Sequence, residues 1–236
     1  MTDYLTLLSF GDTGWGDELA SGFLVTVALA LSTLPFGLAA GLALALAKRS
    51  HDWALRLSAD IYTTIFRGLP ELLTLFLVFY GGQALINAAT GAAGLPQLSL
   101  SAFLSGMLAL GFVFAAFSSE VFLSAFRAIA PGQEEAGRAL GMSRFKILWF
   151  ITLPQLIRIA LPGLSNVWLN LLKDTALVSV IGLADIMRQT GIAARVTREP
   201  FLFYLLACVL FLVLTFASVA VIGRIERWTK RGEVPR

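Results

Sequence analysis

The chain has 236 residues, 57% of them hydrophobic and only 14% charged, with a formal net charge of +3. A soluble domain carries about a quarter charged residues, so a surface this poor in charge excludes an ordinary water-soluble protein. One histidine and one cysteine also exclude a histidine-built metal site and an intramolecular disulfide.

The first twenty residues hold no Lys or Arg, and the apolar run that follows is too long for a signal-peptide core, so no cleavable leader is expected. Leu19 to Ala47 and Pro200 to Gly223 carry no charge. A bilayer-spanning helix needs about 20 apolar residues. Five spans are predicted, at Ser21–Ala47, Ile61–Ile86, Leu98–Phe126, Phe145–Leu172 and Pro200–Arg224. The expectation is an all-α polytopic membrane protein, a single transmembrane domain over 1–236.

Short cytoplasmic connections are enriched in Lys and Arg. The N-terminal tail has Asp3, Asp12, Asp17 and Glu18 and no cation. The first connection has Lys48, Arg49 and Arg56, and the second, Asn87 to Gln97, is uncharged. The third has Arg127, Arg138, Arg144 and Lys146, and the C-terminal tail has Arg224, Arg227, Lys230, Arg231 and Arg236. The N-terminus is therefore expected outside and the C-terminus in the cytoplasm. The fourth connection is nearly neutral, with Lys173, Arg188, Arg195 and Arg198 against Asp174, Asp185 and Glu199.

Within the spans, Arg67 and Glu71 lie four apart and would pair on a continuous helix, but Gly68 and Pro70 fall between them. Ionisable groups at membrane depth mark function by default. Backbone freed at such a break can contact a substrate, so Arg67, Gly68, Leu69 and Glu71 are candidates. Lys173 and Asp174 close the fourth span. Asp174 suits an ammonium or other cation, and Thr175 and Ser179 add hydroxyls four apart on one helical face. Glu120 and Arg158 read as interhelical contacts or snorkelling side chains. Pro154 and Pro162 predict a bent or interrupted fourth span. Gly37, Gly41, Gly106 and Gly111 read as helix-packing surfaces. Trp53, Trp149, Trp168 and Trp228 read as interfacial anchors, and Cys208 as a small buried hydrophobe.

The third connection and the start of span four include EEAGRALGMSRFKILWFITLP, from Glu134 to Pro154. Pro131 suits a first helical turn. Glu134 and Glu135 sit near the positive end of the helix dipole, and Glu134 precedes Arg138 by four. Gly141 can close the helix in a left-handed conformation, and Ser143 can cap the next. A short helix over about Pro131–Leu140 is predicted. These signals leave an ordinary interfacial loop helix and a partner-docking helix equally open.

The same stretch resembles the EAA loop of the permease subunits of ATP-binding-cassette (ABC) importers. Glu135-Ala136-Gly137 stands for EAA, with Gly for the third Ala. Gly141 follows after three residues, and Ile151-Thr152-Leu153-Pro154 after nine more. FRGLPELLTLFLVFYG (Phe66–Gly81), EVFLSAFRAIAPGQ (Glu120–Gln133) and LPGLSNVWLNLLKDTALVSVIGLADI (Leu161–Ile186) resemble the polar amino-acid branch of that family. The resemblance runs from about Gly22 to Trp228. RGLPEL and LLKDTALVS look most like permeases for basic amino acids and opines.

The resemblance implies a type I importer permease fold in a bacterial inner membrane. It implies a second permease subunit, identical or homologous, two partner ATPases and an extracytoplasmic binding protein. ATP and Mg would be bound by the ATPases, with no cofactor on this chain. Residues 131–143 would be the cytoplasmic coupling helix, with Glu134, Glu135, Ala136, Arg138 and Gly141 as coupling residues. The substrate would be a basic amino acid or opine, with acidic or uncharged polar amino acids such as glutamate and glutamine as the alternative.

A stand-alone channel or secondary carrier would lack this family-spaced loop. An enzyme would need a catalytic constellation, and there is no GxxxxGK[ST], GxSxG or HExxH motif here. Nothing points to nucleic acid.

Overall fold

The computed structural model describes residues 4–11 and 13–229. Asp3, Asp12, Lys230, Arg231 and Arg236, used above for orientation, lie outside them. The described residues are helical, in the order α1 (Tyr4–Leu7), α2 (Gly16–Lys48), α3 (Trp53–Gly68), α4 (Glu71–Phe76), a π-helical turn (Leu77–Gly81), α5 (Gly82–Ala92) and α6 (Ala102–Ala128). Then come α7 (Pro131–Ala139), α8 (Arg144–Ile147), a second π-helical turn (Leu148–Thr152), α9 (Leu153–Asp174), a 3₁₀ segment (Thr175–Ile181), α10 (Ile186–Thr197) and α11 (Pro200–Thr229).

Five stretches among the described residues are long and apolar enough to span a bilayer: Gly16–Lys48, Glu71–Ala92, Ala102–Ala128, Arg144–Ile181 and Pro200–Thr229. The second differs from expectation. The expected span, Ile61–Ile86, crosses the Gly68-Leu69-Pro70 break, whereas α3 ends at Gly68 and the span begins at Glu71. Pro70 has no N–H for a helical bond and biases Leu69 away from helix, so the chain restarts there. Arg67 and Glu71 are thus on different helices, and the pairing on one continuous helix does not arise.

The fourth span departs from regular α-helix at a π-helical turn just before Pro154, without the break that its prolines suggested. The N–H of Leu153 bonds back to the carbonyl of Leu148, a five-residue step that absorbs the missing donor of Pro154. Pro162 lies inside α9.

The chain forms two compact units interleaved in sequence. Among the described residues, one comprises 4–11, 13–35, 69–111 and 170–216. Its core joins Leu19, Ala193, Ala194 and Phe203, with Leu7, Leu8 and Trp15 packed on them. Thr26 accepts from the N–H of Ile186 at 3.2 Å, fixing the start of α10 against α2. Gly106 sits against Val178, leaving no room for a side chain.

The other unit comprises residues 36–68, 112–169 and 217–229 of the described chain. Its core joins Ala45, Phe122, Ala125, Phe126, Ile129, Leu156 and Ala160. A Cβ on Gly37 would meet the Phe114 ring at 2.5 Å, and one on Gly41 would meet the Ser118 hydroxyl. These glycines let α2 approach α6 closely and serve as the packing surfaces expected of them.

Cys208 is exposed on α11, against the expectation of burial. Lipid is as apolar as a protein core, so an apolar residue in a span need not face inward.

Candidate functional site: a short exposed helix and a charged cluster

The helix α7 starts with Pro131 at its first position and ends in a Schellman motif. The Met142 N–H bonds to the Gly137 carbonyl at 3.0 Å and the Gly141 N–H to that of Arg138 at 2.9 Å. Gly141 makes this possible with φ +73°, a conformation that costs any residue with a Cβ. The Ser143 side chain then accepts from the N–H of Lys146 and starts α8. Two helices therefore meet at a tight corner, and α7 packs onto α8 and the π-helical turn after it.

Gly137 is the buried contact of α7. A Cβ there would lie 2.8 Å from Ile151 Cδ1 and 2.9 Å from Ile147 Cγ1. The departure from the alanine of the EAA pattern thus has a packing reason: two isoleucines occupy the space. Glu135, Ala136, Arg138 and Leu140 face outward, and Leu140 is 81% exposed, an apolar side chain left open at the helix end. Glu134 differs from Glu135. Its two carboxylate oxygens lie 3.5 Å from Arg49 and 3.5 Å from Arg138.

A second charged group lies inside the same unit. The Lys48 side chain is 7% exposed. Its ammonium donates to the Thr63 hydroxyl at 2.7 Å and to Glu120 Oε1, and lies 3.3 Å from Asp60. Glu120 also faces the Arg67 guanidinium at 3.5 Å, and Arg67 lies over the Phe117 ring at 5.6 Å. Glu120 makes the interhelical contacts expected of it. Lys48 served in the sequence only as an orienting charge. Its partner is 72 positions away, a separation at which nothing in the local pattern marks a pair.

The remaining substrate candidates are distributed between the units. Arg67 and Gly68 end α3 in the unit just described. Leu69, Glu71, Lys173, Asp174, Thr175 and Ser179 belong to the other unit. There α4, which begins with Glu71, packs on the 3₁₀ segment that follows Asp174. Lys173 is exposed and Asp174 half-buried.

The hydroxyls of Thr175 and Ser179 do not share a face as predicted. A 3₁₀ helix repeats every three residues, so positions four apart diverge. Thr175 is buried with its hydroxyl on the Leu172 carbonyl, and Ser179 donates to that of Ala176.

Sequence reasoning also passed over Asp185. It is fully buried and caps α10, accepting from the Arg188 N–H at 2.9 Å, while its second oxygen has no hydrogen-bond partner among the described residues. Burial pushes its pKa up from 3.8 to about 6.

Five apolar spans, with an exposed, glycine-ended helix between the third and the fourth, mark a polytopic membrane protein. The chain belongs to the family of binding-protein-dependent transport system inner membrane components, which it matches over residues 34–231. It is 45% identical over 230 residues to the nopaline transport system permease protein of Agrobacterium fabrum, covering 97% of this chain and 98% of that one. It is 38% identical over 214 residues to the histidine/lysine/arginine/ornithine transport system permease protein of Escherichia coli, covering 91% and 94%. The crystal structure of an amino acid ABC transporter with histidines superposes with a TM-score of 0.78 at 30% identity, covering 96% of this chain and 99% of that one. The chain is a multi-pass inner-membrane permease subunit of an ABC importer, and transport rather than catalysis is its role.

Proposed function

We propose that this subunit moves a basic amino acid or opine across the inner membrane by alternating access, driven by two ATPases that dock on α7. It works with a second permease subunit and receives substrate from an extracytoplasmic binding protein. The N-terminus is outside and the C-terminus cytoplasmic, which puts α7 on the ATPase side. The observation that carries the reading is α7 itself: a short helix with EAA spacing, closed by Gly141 and seated through Gly137, with Glu135, Ala136 and Arg138 open to a partner.

The named substrates of the relatives support a cationic or opine cargo. So does the chemistry of Glu71 and Asp174, two carboxylates in one unit on packed elements, which suit a cation better than an acid. The Leu69 backbone, in the same unit as Glu71, would take the substrate carboxylate, and Arg67 and Gly68 are candidates in the other unit. Lys173 and Ser179 are further candidate contacts in the unit of Glu71.

The test is the assembled complex with its binding protein in proteoliposomes, screened with nopaline, L-arginine, L-lysine, L-histidine and L-ornithine against L-glutamate and L-glutamine. Stimulation of ATP hydrolysis by the first group, weakened by Asp174→Asn, is expected. Stimulation by glutamate or glutamine alone would refute the substrate class.

A further inference from the structure

The proposed docking of α7 leaves open how a push on that helix reaches the first span. Arg49 follows the last residue of α2, and its guanidinium makes two contacts. It stacks 4.2 Å from the centroid of the Phe126 ring on α6, and it lies 3.5 Å from Glu134 on α7. Its neighbour Lys48 is about 100° further round the helix and so reaches different partners, Thr63 and Asp60 on α3 and Glu120 on α6. The end of α2 is thus clasped twice: by Lys48 to α3 and α6, and by Arg49 to α6 and α7.

The two clasps differ in environment. The Lys48 side chain is 7% exposed, whereas those of Arg49 and Glu134 are 36% and 28% exposed. A partly solvated ion pair is weak and reversible, while a planar guanidinium stacked on an aromatic ring keeps its orientation when the pair opens. Such a contact suits a joint that must transmit displacement and re-form in every cycle.

We propose that Arg49 and Glu134 form a transmission clasp, Glu134 acting inward on Arg49 as a positioning residue while its neighbour Glu135 faces the ATPase. A displacement of α7 is then passed to the end of α2 through Glu134 and Arg49, and to α6 through Phe126. This rests on the reading of α7 as the ATPase-docking helix.

The experiment uses the full transporter in proteoliposomes, with whichever substrate above stimulates hydrolysis. The quantity read is substrate taken up per ATP hydrolysed. Arg49→Ala and Glu134→Ala should each lower it about three- to ten-fold while ATPase binding persists. The double variant should be no worse than either single one, because both remove the same joint. Arg49→Lys, which keeps the charge and loses the planar stack, should fall between. Leu140→Cys, crosslinked to the ATPase, reports docking separately.

Persistent crosslinking with a wild-type ratio in Arg49→Ala overturns the clasp and leaves docking intact. So do additive losses in the double variant, which would mean that Glu134 touches the ATPase itself. Absence of crosslinking in the otherwise wild-type protein overturns the docking reading and the clasp with it. If Arg49→Ala does not assemble, Arg49→Lys with Glu134→Ala completes the same cycle.

Discussion

Replacing Gly137 tests whether the seating of α7 depends on the absence of a side chain. An alanine Cβ would lie 2.8 Å from Ile151 Cδ1, 2.9 Å from Ile147 Cγ1 and 3.3 Å from Ile147 Cδ1. All three atoms belong to isoleucine side chains, so they can yield by rotating, at about 0.5–1.5 kcal/mol for each side chain forced off its rotamer. Against this, alanine favours the helix over glycine by about 1 kcal/mol. With two isoleucines to move, Gly137→Ala should therefore fall between neutral and about 2 kcal/mol destabilising. Gly137→Val adds two further methyl groups to the same filled space, and overpacking of that kind costs about 1–3 kcal/mol.

For a chain of this size the valine cost corresponds to about 2–4 °C in melting temperature per kcal/mol. The assay is thermal unfolding of the detergent-solubilised subunit, followed by ATPase binding and uptake in the assembled transporter. Gly137→Ala combined with Ile151→Val, which removes the nearest methyl, should recover the helix-propensity gain and exceed the single alanine variant. If Gly137→Val melts and transports like the unaltered protein, the close approach of α7 to Ile147 and Ile151 is not what seats it.

Three further outcomes follow from the geometry. Gly141 has open space around it, so Gly141→Val should fail through its left-handed φ rather than through a clash, at about 1–2 kcal/mol, and should cut uptake. Gly141→Asn, which tolerates that conformation, should keep most uptake, and equal effects of the two would refute the backbone argument. Lys48→Met leaves Glu120 and Asp60 without their shared cation and should cost about 1–3 kcal/mol, partly recovered by adding Glu120→Gln; a melting curve with no recovery would refute the pairing. Asp185 has a folded-state pKa of about 6 against 3.8, so the stabilisation from its neutral form is complete below pH 4 and is lost as pH rises through 6, by up to about 3 kcal/mol. Asp185→Asn, which keeps the cap, should flatten the melting temperature between pH 4 and 8; an unchanged pH dependence would refute the burial argument.

Much of this protein was legible along the chain because its determinants are local. Long apolar runs announce helical spans, since a helix satisfies its own backbone hydrogen bonds in lipid. Pro131, Gly141 and Ser143 announced the corner between α7 and α8, because caps act within one turn. The spacing from Glu135 through Gly141 to Pro154 carried the family resemblance.

What the sequence could not reveal depends on residues distant in the chain. The break at Pro70 was visible, but not that Arg67 turns to Glu120 on α6. Thr175 and Ser179 looked like one helical face, yet the segment adopts a three-residue period. Gly137 read as a departure from alanine until Ile147 and Ile151 were seen to fill its side-chain space. Glu134 and Glu135 are adjacent and chemically alike, and only the position of Arg49, 85 residues away, separates an inward-tied carboxylate from an open one. Local propensity and hydropathy act over a few residues and determine which segments are helices and which of them cross the membrane. Partner choice among charges and close packing act through space, so the tertiary structure alone decides them.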